Sequence, residues 1–194
     1  YNPSARAPGP IQDLDPHSTK QALNTTCYGA FLVAQQAAKR MRQQGHGSIL
    51  FTGASAGVKG FANSSVFAMG KFGLRGLAQA LARELHPQNI HIGHFVIDGG
   101  IRAEHRAERQ DDGNDSMLDP DAIAESYLQF HRQHRSAWAV RAIATATAAA
   151  AAATLLPAPR PRRLLFFLAA EECVEEGFFL LNGRRFFVTY MGLK

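Results

Sequence analysis

The sequence is short of several things, and each shortage removes a class of protein. Cysteine occurs only at Cys27 and Cys173. With no C-x-x-C and no Cys/His cluster, neither a disulfide-scaffolded mini-protein nor a structural zinc site is expected, and a reducing compartment is. No apolar run reaches the roughly 18 residues that a membrane span needs. The nearest stretches, 144–156 and 164–170, fall short, so the expectation is a soluble, cytoplasmic chain with no membrane partner. Neither an initiator Met nor a basic-then-apolar leader precedes Tyr1-Asn2-Pro3, which reads as a truncated start rather than a signal peptide. A large excess of one charge is missing too: 21 Lys+Arg against 16 Asp+Glu leave +5. That excess is spread along the chain. Its one local cluster, Arg160-Pro161-Arg162-Arg163, lies among prolines and reads as a solvated linker, so no nucleic-acid partner is expected.

What remains is enough apolar material for one ordinary domain, 46% of 194 residues. Pro3, Pro8, Pro10 and Pro16 make the opening an extended loop. A helix is expected over 17–44, where Leu23, Cys27, Ala30, Phe31, Ala34, Ala37, Ala38 and Met41 recur every three or four residues and Gly45 follows. The apolar run 47–53, set between glycines, suits a strand buried on both sides. A second helix over 64–86 carries Val66, Phe67, Phe72, Leu74, Leu77, Leu81 and Leu85 and stops at His86-Pro87. A second strand over 90–97 ends at Asp98-Gly99-Gly100, and residues 102–118 read as a polar, mobile loop above the carboxyl end of the sheet. Asp119-Pro120 then starts a helix expected to run to about Trp138. Helix, strand, helix and strand with short links predict an α/β fold with parallel winding.

The composition changes after residue 139. Six alanines at 148–153 suggest an Ala-rich helix, 157–163 a Pro/Arg linker, and 178–188 a hairpin turning at Asn182-Gly183. Two regions are therefore expected, 1–139 and a divergent tail, 140–194.

The runs Gly47-Ser48-Ile49-Leu50-Phe51-Thr52-Gly53-Ala54-Ser55-Ala56-Gly57, Phe67-Ala68-Met69-Gly70-Lys71-Phe72 and 89–101 together resemble the second half of a short-chain dehydrogenase/reductase. Asn2 resembles the Asn of that family's Asn-Ala-Gly signature. The resemblance covers residues 1–138 and implies part of a doubly wound, Rossmann-like parallel sheet with flanking helices. It implies an NAD- or NADP-dependent oxidoreductase acting on a small carbonyl or alcohol, and a homo-oligomer formed through the helices at about 17–44 and 64–86. The family's glycine-rich cofactor turn would lie N-terminal to all of this. Gly9 is the only glycine among residues 1–20, so weak dinucleotide binding or none is expected of this chain alone.

The resemblance also implies site residues. Lys71 falls on the family lysine that holds the nicotinamide ribose and lowers the catalytic tyrosine's pKa. The tyrosine position itself is Phe67, which has no proton to give. The family serine falls on Ala54, with Ser55 beside it as the candidate substrate contact, and a fourth family position, an Asn, falls on Thr26, with Asn24 nearby. Asp98, Gly99, Gly100 and Ile101 replace the Pro-Gly turn that meets the nicotinamide. Loss of a positioned acid lowers a rate by about 10²–10⁴-fold, so impaired or absent activity is expected. A non-catalytic dimerising or scaffolding module is the alternative.

Other readings compete at each position. Phe67 also fits a core stripe, Ser55 a loop serine bonding its own backbone, Lys71 a helix-surface cation, and Asp98-Gly99-Gly100 a bare strand-ending turn. No metal site is expected. His91 and His94 are three apart on a strand and face opposite sides, and His131 and His134 share a helix face without a third ligand. Tyr190 and Lys194 repeat the Tyr-x-x-x-Lys spacing, without room for a helix.

Overall fold

The computed structural model describes residues 1–146 and, beyond them, the backbone of residues 177–181 and 184–188. The chain divides into two compact units, Tyr1–Leu156 and Pro157–Lys194.

In the first unit the predicted opening helix is a continuous rod in three parts. Helix α1, Pro16–Leu23, starts where the Asp15 carboxylate accepts the Ser18 N–H at 2.7 Å, with Pro16 needing no hydrogen bond at the first helical position. A π turn, Asn24–Tyr28, leads into α2, Gly29–Gln44. Gly45 ends α2 in the left-handed conformation (φ 79°), donating its N–H to the Met41 carbonyl. Strand β1 is Gly47–Thr52, helix α3 Ser65–Leu85, strand β2 Ile90–Asp98, helix α4 Pro120–His131 and strand β3 Arg141–Thr145.

The three strands form one parallel sheet in the order β1-β2-β3. Ile49 lies opposite Ile92, Phe51 opposite His94, and Phe95 opposite Ala142. Side chains alternate between the two faces, as the two-residue strand period requires. On one face Ile49, Phe51, Ile90 and Ile92 pack against Ala30 and Ala34 of α2 and Leu74, Ala78 and Ala82 of α3. On the other, Phe95 and Ile97 pack against Phe130 of α4, with Leu50 alongside. Alanine on both helices lets them approach the sheet closely, and each large side chain buried here contributes about 1.5–3 kcal/mol.

The structure changes three sequence expectations. First, the sheet gains β3, which falls after residue 139, inside the stretch read as a divergent tail; its main chain pairs with β2 and belongs to the first unit. Second, α4 ends at His131 rather than near Trp138. The Trp138 indole N–H donates to the Gln133 carbonyl at 3.0 Å and the Ala139 N–H to Gln133 Oε1 at 3.0 Å, folding the chain back toward the sheet. Third, Phe31 and Phe72, read as buried stripe residues, are largely exposed.

In the second unit β4, Gly177–Leu181, and β5, Arg184–Val188, pair antiparallel with Leu181 opposite Arg184, the register of a two-residue hairpin. Asn182-Gly183, the six alanines, the Pro/Arg linker and the Tyr190–Lys194 spacing lie outside the described residues.

Candidate functional site

In parallel α/β sheets, ligands bind beyond the carboxyl ends of the strands, and the candidate residues of this chain gather there. Phe67 and Lys71 are one helical turn apart on α3, so both side chains leave the same face. That face is turned inward: Phe67 is 8% exposed and Lys71 only 3%. The Lys71 ammonium donates to the carbonyl of Thr52, the last residue of β1, at 2.8 Å. It lies 5.8 Å from the centre of the Phe67 ring. Burial, and secondarily the charge of Arg6, lower the Lys71 pKa to about 8.

Ser55 opens the short 3-10 turn Ser55–Gly57 that follows β1. This turn rests on α3 at Lys71: a Cβ added to Gly57 would stand 3.1 Å from the Lys71 carbonyl oxygen. The Ser55 carbonyl accepts the N–H groups of Val58 and Lys59, each at 3.0 Å. Its hydroxyl makes no hydrogen bond among the described residues, so the backbone bond expected of a loop serine is made by its main chain instead.

Asp98 ends β2, and its carboxylate lies 3.7 Å from the Lys59 ammonium, tying the β2 end to the loop that carries Ser55. The next residues are held from below. The Asp98 carbonyl accepts the Ala146 N–H at 3.2 Å, the Gly100 carbonyl accepts the Leu118 N–H at 2.7 Å, and Ile101 bridges Leu118. A Cβ on Gly99 would come within 2.7 Å of the Ala146 Cβ, so glycine is required by close packing there. The polar segment 102–118 is thus pinned at both ends. Asn2 stands apart: exposed, its side chain makes no hydrogen bond among the described residues. Its neighbour Tyr1 lies along β1, donating from its ammonium to the Leu50 carbonyl at 2.6 Å and accepting the Thr52 N–H at 2.9 Å.

Arg6 had no signal in the sequence, and Thr26 was marked only as a family position. Arg6 lies over the Phe67 ring, its guanidinium carbon 4.1 Å from the centre. It is carried there by the neighbouring Ala5 N–H, which donates to the buried hydroxyl of Thr26 at 2.9 Å. Thr26 sits in the π turn and packs against Gly70 of α3, where a Cβ would stand 3.0 Å from its side chain. His94 lies beneath Gly53 with both ring nitrogens buried and without a hydrogen bond. Burial first, then the charges of Arg75, Lys71 and Arg141, lower its pKa to about 4. Tyr127 of α4 hydrogen-bonds Thr52 Oγ1 at 2.8 Å, but from the sheet face opposite Phe67.

His91, His131 and His134 make structural contacts. His91 faces α4, stacked between Phe130 and Trp138 with both ring centres at 4.6 Å, whereas His94 faces α3. His131 Nδ1 pairs with the Ser48 hydroxyl at 2.9 Å. His134 is not on the same helix, as α4 has already ended; it caps the following turn through Ser136. Among the described residues no three His, Cys, Asp or Glu side chains are placed to hold a metal, and no helix is long and apolar enough to cross a membrane.

Residues 1–114 match the family profile of the short chain dehydrogenases. The chain belongs to the short-chain dehydrogenase family. It is 29% identical over 125 residues to sepiapterin reductase of Chlorobaculum tepidum, a match covering 64% of this chain and 51% of that enzyme. It thus spans about half the length of this relative. A short-chain dehydrogenase from Rhodopseudomonas palustris superposes with a TM-score of 0.61 at 31% identity, over 74% of this chain and 58% of the other. A 4-hydroxyisoleucine dehydrogenase complexed with NADH shares the fold at 20% identity, with a TM-score of 0.62 over 75% of this chain and 66% of the other. The described residues thus supply a parallel sheet end with Lys71 buried on a strand carbonyl and the Phe67 ring one turn before it.

Proposed function

We propose that this chain carries the lysine-bearing half of the active site of an NAD- or NADP-dependent oxidoreductase acting on a small carbonyl or alcohol. The observation that carries this reading is the Lys71 ammonium, buried and anchored on the Thr52 carbonyl at the carboxyl end of a parallel sheet. An ammonium has three donors; one is used on Thr52, and the others suit the hydroxyls of a nicotinamide ribose. Bound nicotinamide supplies or accepts the hydride. In this reading Ser55 contacts the substrate, the turn Asp98-Gly99-Gly100-Ile101 backs the nicotinamide, and Asn2 joins Lys71 among the cofactor-binding residues. Phe67 provides no proton, and turnover by the tyrosine route is expected to be lower by about 10²–10⁴-fold. The described residues carry no glycine-rich pyrophosphate turn of the kind that grips a dinucleotide.

The test is fluorescence titration of NADH and NADPH into the product of the full reading frame that contains these residues. Saturable binding that Lys71→Met weakens supports the reading, and no binding by the wild type removes it. A gain of reductase activity in Phe67→Tyr would identify an inherited geometry.

A second reading, a non-catalytic module that pairs with its own copy, is favoured by one observation. Tyr28, Phe31, Leu32 and Val33 around α2, and Met69 and Phe72 on α3, leave large apolar side chains exposed. The same surface fits a homodimer of the enzyme, in a cytoplasmic setting. Sedimentation equilibrium tests the pairing: a monomer at micromolar concentration would remove it, and a dimer without nucleotide binding would favour the module over the enzyme.

A further inference from the structure

Two cations share one aromatic ring at the carboxyl end of the sheet. Arg6 lies over Phe67 at 4.1 Å, and the Lys71 ammonium lies 5.8 Å from the same ring centre. Among the described residues neither cation has a carboxylate within ion-pair distance, while Asp98, at the same end of the sheet, is engaged by Lys59. Lys71 is 3% exposed yet has a single acceptor, the Thr52 carbonyl. Each of these features disfavours the folded state: a buried ammonium wants more acceptors, and a second positive charge nearby raises the cost of the first.

The Arg6–Phe67 cation–π contact accounts for where Arg6 rests, but not for Lys71 beside it. The Arg6 side chain is exposed and makes no hydrogen bond among the described residues. The guanidinium edge, with N–H groups set in a fork matched to two oxygens, stays open. The ring beneath has no hydroxyl to compete for those oxygens and can pack on an apolar body.

We infer that Arg6 and Lys71 form a binding site for a small oxyanion, a carboxylate or phosphate carried by the substrate, with Arg6 its bidentate partner and Lys71 the second charge. This deepens the functional reading above by naming the charge of the substrate, and it is tested without a nucleotide. The low Lys71 pKa gives the site a pH signature. The second charge is present below about pH 8 and is lost above it, so affinity falls as pH rises through that range, and a bound anion drives the ammonium pKa back up.

The experiment is calorimetric titration of the 194-residue chain with benzoate, with phenyl phosphate, and with benzamide as the uncharged match to benzoate. At least one anion is expected to bind about tenfold or more tightly than benzamide; the stronger of the two says whether the group is a carboxylate or a phosphate. Arg6→Ala should weaken the stronger anion by about tenfold, and Arg6→Lys by less, because a point charge lacks the fork. Arg6 is exposed, so both variants should stay folded, with a melting temperature within a few degrees of wild type. Raising the pH from about 7 to 9.5 should weaken binding to the wild type and leave Lys71→Met unmoved. Anions binding no more tightly than benzamide, or an unchanged affinity in Arg6→Ala, would overturn the inference. Anion binding without NADH or NADPH binding would refute the nucleotide reading alone, and nucleotide binding without anion binding would refute this one alone.

Discussion

Strand β2 buries one histidine on each face, and the two faces treat them differently. On the α4 side His91 is sandwiched between Phe130 and Trp138 and donates from Nε2 to the Ala139 carbonyl at 2.9 Å. His86 closes the cluster edge-on and accepts the Ile92 N–H at 3.1 Å. On the α3 side His94 has no hydrogen bond on either nitrogen, and Lys71, Arg75 and Arg141 surround it with positive charge. The α4 face is therefore an aromatic layer in which packing supplies stability. The α3 face gathers a histidine without hydrogen bonds and nearby positive charge in a poorly solvated place, an arrangement that opposes folding.

Truncating the aromatic layer and acidifying the cationic face should damage the fold by similar amounts and by different routes. Trp138→Ala empties one side of the His91 sandwich and should cost about 3 kcal/mol, at the lower end for a large aromatic because Trp138 is only half-buried. Urea unfolding near neutral pH measures this. Acid acts on the other face. The His94 pKa is about 4 in the fold against about 6.5 in the unfolded chain, so the unfolded state binds more protons between those values and stability falls with pH there. The loss should be on the order of 3 kcal/mol. His86 and His91, both lowered mainly by burial, add to the fall in the same direction. His94→Leu should flatten most of it, and an unchanged acid transition in that variant would break the contrast between the faces.

Lys71 should show the converse behaviour at high pH. Its folded pKa of about 8 lies below the usual lysine value, so wild-type stability rises between about pH 8 and pH 10.5. At neutral pH Lys71→Met should be more stable than wild type by about 2 kcal/mol, removal of the charge outweighing loss of the Thr52 hydrogen bond. The gain should vanish at alkaline pH, and a destabilised variant at pH 7 would show that the ammonium is better solvated than its burial implies. Smallest of all, Thr52→Val removes the hydrogen bond to Tyr127 and should cost about 1 kcal/mol, while leaving the Lys71 contact, which uses the main-chain carbonyl, in place.

Much of this fold could be read from the chain. The apolar runs that became β1 and β2 had no other use in a short segment between glycines, and Asp119-Pro120 capped α4 as their chemistry requires. β3 was hidden because Arg141-Ala142-Ile143-Ala144-Thr145 runs into an alanine-rich stretch and has only modest strand propensity; its partner, β2, decides its conformation. The end of α4 was misread for a related reason, since the helical pattern continues locally while the stacking of Trp138 on His91 pulls the chain away. At the site, Lys71, Phe67 and Ser55 were visible through family resemblance. Arg6 was not: an arginine in a proline-rich loop has no pattern that points at a ring on a distant helix.

By itself the sequence determined the local elements, since period, caps and breakers act over a few residues, and it placed Phe67 and Lys71 one turn apart on one helix face. Only the tertiary structure decided the electrostatics. Charge interacts through space, and the burial of Lys71, the placement of Arg6 over Phe67 and the isolation of His94 exist only once three strands and the surrounding helices have closed water out.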